Sequence, residues 1–168
     1  MENEIVNKVQ QSGIITIDPE EFYPAEECVE YDIAQNLWQG LVLKEKDFRE
    51  FIATHNWIVY QNKNIALYCS ADAIIPNWAY MLLTSALKPY ANKIVFGNKS
   101  QLISEIISEK IDQLDATKYK DTRVIIKGCG EKEIPASVYV KLSDKLLPEV
   151  KSLMFGEPCS TVPVFKRK

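Results

Sequence analysis

The feature that most constrains the fold is that the chain matches itself, without a gap, after a shift of 59 positions. Apolar periodicity is common to any two strand–helix–strand units, but periodicity alone does not keep prolines, tyrosines and Phe-Gly pairs in one register. We therefore predict a duplicated β-α-β-α unit, with internal repeats at residues 44–97 and 103–156. The aligned positions are Tyr60 with Tyr119, Ile75-Pro76 with Ile134-Pro135, Tyr80 with Tyr139, Leu83 with Leu142, Leu87 with Leu146, and Phe96-Gly97 with Phe155-Gly156.

Short apolar runs alternate with longer segments whose apolar residues recur at helical spacing. Continuously apolar strands joined by helices are typical of a parallel sheet that helices cover on both faces. We therefore predict an α/β fold with a mainly parallel sheet and helices on both faces. The predicted strands of the repeats are Ile65-Ala66-Leu67, Ile94-Val95-Phe96, Val124-Ile125-Ile126 and Leu153-Met154-Phe155.

The length and apolar content of the chain favour a single domain. It has 168 residues, of which 46% are hydrophobic, which suffices for one packed core. Residues 1–36 fall outside the repeats and carry two weaker strand patterns, Ile14 to Ile17 and Val29 to Ile33. We predict that residues 1–36 are an N-terminal extension packed on the core, and that residues 157–168 are a C-terminal tail.

Composition argues against two classes of partner. The formal net charge of −3 gives no basic field for nucleic acid, and no apolar stretch approaches the roughly 20 residues that a membrane span needs. The first residues lack the basic and apolar pattern of an export signal, so we expect a cytoplasmic protein. In a reducing compartment its four cysteines are expected to be thiols or metal ligands and not disulfides.

Three of the cysteines follow predicted strands. Cys69, Cys129 and Cys159 would therefore lie at the carboxyl edge of a parallel sheet, where open α/β sheets bind ligands. We predict that the three thiols converge on a metal site for zinc or an iron–sulfur cluster. Asp72 and Glu157 are the candidate further ligands, because each lies within three residues of one of these cysteines. The fourth cysteine, Cys28, is predicted to be structural.

A reactive thiol and purely structural cysteines remain alternatives. The glycines beside Cys129 would let backbone N–H groups approach a thiolate, and the helix that Pro76 opens would direct its positive end toward Cys69. Free cysteine also packs well as a small apolar side chain. The single histidine, His55, is predicted at the opposite edge, which argues against a Cys–His nucleophile. The segment 128–130 lacks the Lys-Ser/Thr of a phosphate-binding loop.

Several segments resemble a family of bacterial proteins, domain of unknown function 2480, over nearly the whole chain. The family name implies no activity, and the resemblance implies an association with iron–sulfur assembly proteins as partners. Cys69, Cys129 and Cys159 lie inside the resembling segments and Cys28 outside them. The segments are Asp18 to Pro24, Leu43 to Glu50, Cys69 to Leu83, Ile126 to Gly130 and Met154 to Pro163.

Three functional hypotheses follow, and a non-enzymatic role is favoured. The first is an accessory factor in iron–sulfur cluster or metal handling that uses the carboxyl-edge cysteines. The second is a non-catalytic partner-binding module similar to the STAS fold, as the strand–turn–helix from Leu67 to Leu83 suggests, with structural cysteines. The third is a thiol-dependent enzyme that acts on a small substrate.

Overall fold

The computed structural model describes residues 13–168, which form an α/β protein of two compact units. The central unit is Pro24–Glu105, and the terminal unit combines the described residues up to Tyr23 with Ile106–Lys168. The strands in the described residues are β1 (Ile14–Ile17), β2 (Cys28–Asp32), β3 (Asn64–Tyr68), β4 (Lys93–Phe96), β5 (Arg123–Ile126), β6 (Ser152–Glu157) and β7 (Ser160–Lys166). The α-helices there are α1 (Glu45–Thr54), α2 (Asn77–Leu87), α3 (Lys99–Asp112) and α4 (Ala136–Leu146).

The central unit contains a three-stranded sheet in the order β2-β3-β4, in which all neighbours are parallel. Three consecutive β3 residues, Ile65, Ala66 and Leu67, are at most 2% exposed. A strand buried on both faces accounts for the continuous apolar run that the sequence shows there.

The terminal unit contains a four-stranded sheet in the order β1-β5-β6-β7. The first three strands are parallel, and β7 returns antiparallel to β6. Residues 157–168, predicted to be a tail, thus hold an edge strand. The strand β7 was not predicted because it contains Pro163, and a proline argues against a strand except at a sheet edge.

The strands are divided between two sheets, whereas the sequence analysis placed them in one. Periodicity identifies strands but not their partners, and β1 pairs with β5, which follows it by more than a hundred residues. The two strands within residues 1–36 are edge strands, β1 of one sheet and β2 of the other. That helices cover both faces stays a prediction.

Helices α2 and α4 have the same local design. Each begins directly after a proline, Pro76 or Pro135, which serves as the N-cap with an extended backbone. Each buries three side chains on one stripe: Ala79, Leu83 and Leu87 in α2, and Val138, Leu142 and Leu146 in α4, all at 0% exposure. Burying a leucine or valine side chain stabilises the fold by about 1.5–3 kcal/mol. Among the described residues no helix is long and apolar enough to cross a membrane.

Candidate functional site

In the terminal unit an ion pair links β1 to the end of β5. Asp18 follows β1 and caps a short 3-10 helix, Pro19–Phe22, by accepting the amide of Glu20 at 3.0 Å. Its second carboxylate oxygen accepts a hydrogen bond from Lys127 Nζ at 2.7 Å. Burial raises the pKa of Asp18, but the hydrogen bonds from Lys127 and the Glu20 amide outweigh it and hold that pKa below its ordinary value. The same bond to Asp18 raises the pKa of Lys127.

The loop after β5 is held close to the fold by two glycines. A Cβ at Gly128 would overlap the ring of Phe155, and one at Gly130 would overlap the carboxylate of Glu20. That carboxylate accepts the backbone N–H of Lys132 at 2.5 Å. The loop therefore has a fixed course, and Cys129 stands exposed at its centre.

The central unit has a corresponding arrangement at the end of β3. Asp32 is the last residue of β2 and accepts three hydrogen bonds, from the Ala34 amide at 2.9 Å, the Ser70 amide at 3.0 Å and the Ser70 hydroxyl at 2.5 Å. Burial raises the pKa of Asp32, but these bonds lower it to a net value below the ordinary one. Cys69 is half-buried, and its thiol donates to the carbonyl of Ala71 at 3.5 Å.

The predicted metal ligands are divided between the units. Cys69 and an exposed Asp72 belong to the central unit, whereas Cys129, Cys159 and Glu157 belong to the terminal unit. In residues 13–168 no group of three or more His, Cys, Asp or Glu side chains is arranged to hold a metal ion. The convergence of the three thiols on zinc or a cluster therefore stays a prediction.

Two further side chains take structural positions in the central unit. Cys28 is 8% exposed, and its sulfur accepts a hydrogen bond from Asn64 Nδ2 at 3.8 Å. Burial raises the pKa of this thiol above its ordinary value. His55 is the C-cap of α1 and contacts the rings of Phe51 and Trp57, with centroid distances of 4.9 Å and 4.5 Å.

An apolar groove in the terminal unit was not predicted from the sequence. It has a volume of about 490 Å³ and runs between α4 and the β6–β7 hairpin. Three of its side chains are well exposed: Val140 at 70%, Val164 at 56% and Phe155 at 40%. Other residues that line the groove are Tyr139, Leu147 and Leu153. Exposure of this kind depends on which strand lies beside the helix, so apolar spacing along the chain does not reveal it.

Part of this surface has a counterpart in the central unit. Phe155 meets Tyr139 edge-on at 5.6 Å, and Phe96 meets Tyr80 in the same way at 5.1 Å. Met81, at the α2 position that corresponds to Val140, is 71% exposed, and Phe96 is 70% exposed. The strand β4 has no antiparallel partner in the described sheet, so only the terminal unit has a β7 to close the groove.

Comparison with known proteins identifies a family but no activity. Residues 3–167 match the family described as "Protein of unknown function (DUF2480)". Neither a curated protein nor a solved structure matches the chain.

Proposed function

Because this chain belongs to the DUF2480 family, whose description gives no activity, we propose a function from the geometry: a non-catalytic module that binds a polypeptide partner. The partner would insert apolar side chains into the groove between α4 and the β6–β7 hairpin. The observation that carries this proposal is the exposure of Val140, Phe155 and Val164 around a groove of about 490 Å³. Contiguous apolar surface of this kind marks interaction sites in soluble domains.

The composition of the groove favours a polypeptide over a small molecule. Small-molecule sites combine apolar walls with a few placed polar groups that orient the ligand. Here the polar side chains on the lining are those of Tyr139, Ser143 and Asp144, on one helix. The apolar surface also continues beyond the groove along β7, where Val162 is 62% exposed. Apolar area with aromatic side chains at its centre is typical of the core of a protein interface.

The polar groups at the carboxyl edges support a non-catalytic role. Asp18, Glu20 and Asp32 each accept hydrogen bonds from their own unit. A catalytic carboxylate needs an open position from which it can reach a substrate. Each of these carboxylates instead accepts a hydrogen bond from a backbone amide, and so holds a strand-end loop in place.

The correspondence between the units supports a duplicated origin, which we include in the proposal. Helices Asn77–Leu87 and Ala136–Leu146 are 59 positions apart, as are the starts of β4 and β6. The positive backbone angles recur at the same spacing, at Asn62 and Asp121 and at Gly97 and Gly156. Duplication of one module accounts for the aromatic pair that each unit carries, Tyr80 with Phe96 and Tyr139 with Phe155. The addition of β7 to the terminal unit accounts for the groove that, among the described residues, this unit alone has beside its pair.

Affinity capture with paired variants tests the proposal. Val140→Glu places a charge in the groove, and Val59→Glu places the same charge at a 50% exposed valine of the central unit. The parent and Val59→Glu proteins should recover the same partner from the native host, at a fixed stoichiometry. Recovery with Val140→Glu should fall at least tenfold. Equal recovery by both variants, with matched thermal stability, would contradict the proposal.

Two alternatives stay predictions with direct tests. An accessory role in iron–sulfur or zinc handling predicts that protein purified without air contains metal, and that Cys129→Ser loses it while keeping its fold. Equal metal content in parent and variant would exclude that role for Cys129. A thiol-dependent enzyme predicts rapid alkylation of Cys129 or Cys159 at neutral pH, faster than that of an unstructured cysteine peptide.

A further inference from the structure

A second cleft lies at the amino edge of the terminal sheet, where the parallel strands begin. It has a volume of about 480 Å³ and contacts the first residues of β1, β5 and β6. Its apolar lining includes Ile14, Pro163 and Phe165. The cationic side chains on its lining are Arg123, Lys151 and Lys166.

Strand register places Ile14 and two of the cations, Arg123 and Lys166, in one row across the sheet. Ile14 pairs with Arg123, Arg123 pairs with Ser152, and Ser152 pairs with Lys166 across four neighbouring strands. Residues that are directly paired project from the same face of a sheet. This row therefore presents an apolar side chain at one end, a guanidinium within it and an ammonium at the other end.

The three cations are uncompensated in the described part of the chain. Neither Arg123, Lys151 nor Lys166 forms an ion pair with any described residue. In contrast, the neighbouring Arg167 bonds to the Asp121 carboxylate and the Pro148 carbonyl. The cleft therefore carries a local positive charge, although the net charge of the whole chain is −3. Such a charge attracts anions to the cleft.

We propose that this cleft binds a small amphiphilic carboxylate, an acyl chain with one anionic head group. The apolar lining would take the acyl chain, and the three cations would surround the carboxylate. The volume lies within the range of small-molecule sites, which combine apolar walls with a few charged groups. The mixed lining favours this ligand over an acidic peptide, whose repeated charges would need a longer basic track. This cleft shares only Met154 with the lining of the apolar groove, and the inference does not depend on the proposed function.

Titration with decanoate tests the ligand class. We expect saturable binding of decanoate, which calorimetry and amide chemical shifts measure. The shifts should centre on Ile14, Arg123 and Phe165. Decanol, which lacks the charge, and decyltrimethylammonium, which reverses it, should bind at least tenfold more weakly. Equal binding of decanoate and decanol would overturn the proposal, as would an acidic peptide that binds this cleft where decanoate does not.

Charge variants test the site itself. Replacing Arg123, Lys151 and Lys166 together by glutamine should weaken decanoate binding by about tenfold, since each exposed ion pair contributes a modest fraction of the affinity. Lys120→Gln removes one charge elsewhere on the same unit and should leave the affinity within about twofold. A second variant, Phe165→Ser, should weaken decanoate and decanol alike. Val140→Glu, in the apolar groove, should change neither. A triple variant that folds and binds decanoate like the parent would contradict the assignment.

Discussion

At the scale of single residues, two glycines let the loop after β5 approach its neighbours closely. Gly128 lies against the ring of Phe155, and Gly130 lies against the carboxylate of Glu20. A Cβ at Gly128 would require the Phe155 ring to move, whereas one at Gly130 would displace only the end of the Glu20 side chain. The sequence drew attention to these glycines as flanks of Cys129, but their immediate structural role is to let the loop approach its neighbours.

Gly128→Ala should therefore destabilise the protein by about 1–3 kcal/mol, because the new methyl group must displace the Phe155 ring. Urea unfolding measures the change in the free energy of unfolding. The same substitution in a Phe155→Ala background should cost clearly less, since the obstructing ring is absent. An equal cost in both backgrounds would show that the ring is not the constraint.

The ion pair between Asp18 and Lys127 gives a pH-dependent prediction. The pKa of Asp18 in the folded protein is held below its ordinary value, so its carboxylate stabilises the fold. This contribution is present above the unfolded pKa of about 3.9 and is lost as the pH falls through the lower, folded pKa. Asp18→Asn should thus unfold at a lower urea concentration than the parent at pH 7. The difference should shrink as the pH falls below about 4, and a difference that persists unchanged at acid pH would contradict this.

At the scale of elements, the sequence predicts what is local and misses what depends on pairing. The strands and helices of residues 44–156 follow from apolar periodicity and from Pro76 and Pro135, and β1 follows from a short run in which three of four residues are isoleucine. The division into two sheets did not follow, because long-range pairing such as that of β1 with β5 leaves no local mark. The strand β7 was missed because Pro163 interrupts it. That proline and the register shift beside Met154 also discourage pairing at this free edge.

Substitutions on the two sides of α4 should change the free energy of unfolding by very different amounts. Leu142 is 0% exposed and Val140 is 70% exposed, so they report the core and the groove of one helix. Leu142→Ala should cost about 2–5 kcal/mol, as buried leucines do. Val140→Ala should change the free energy of unfolding by about 0.5 kcal/mol or less. Chemical denaturation of the two variants side by side measures both, and similar costs would contradict the position of the groove.

At the scale of the whole molecule, each unit contains its own sheet, of three parallel strands in the central unit and of four strands in the terminal unit. The placement of Cys69 and Cys129 after β3 and β5 was predictable, because the carboxyl end of a strand can be read from its apolar run. Their assignment to separate compact units was not, and neither were the two clefts of the terminal unit. Both clefts depend on β7, whose side chains contribute to the lining of each.

The central claim is that the groove beside Val140 is covered by a polypeptide partner in the cell. Photocrosslinking tests this most directly, with benzoylphenylalanine at Val140, which is 70% exposed, or, as the control, at Val59, which is 50% exposed. We expect a discrete crosslinked protein from position 140, absent from position 59 and lost when Phe155→Glu is added. No crosslink at position 140, or the same products from both positions, would contradict the claim.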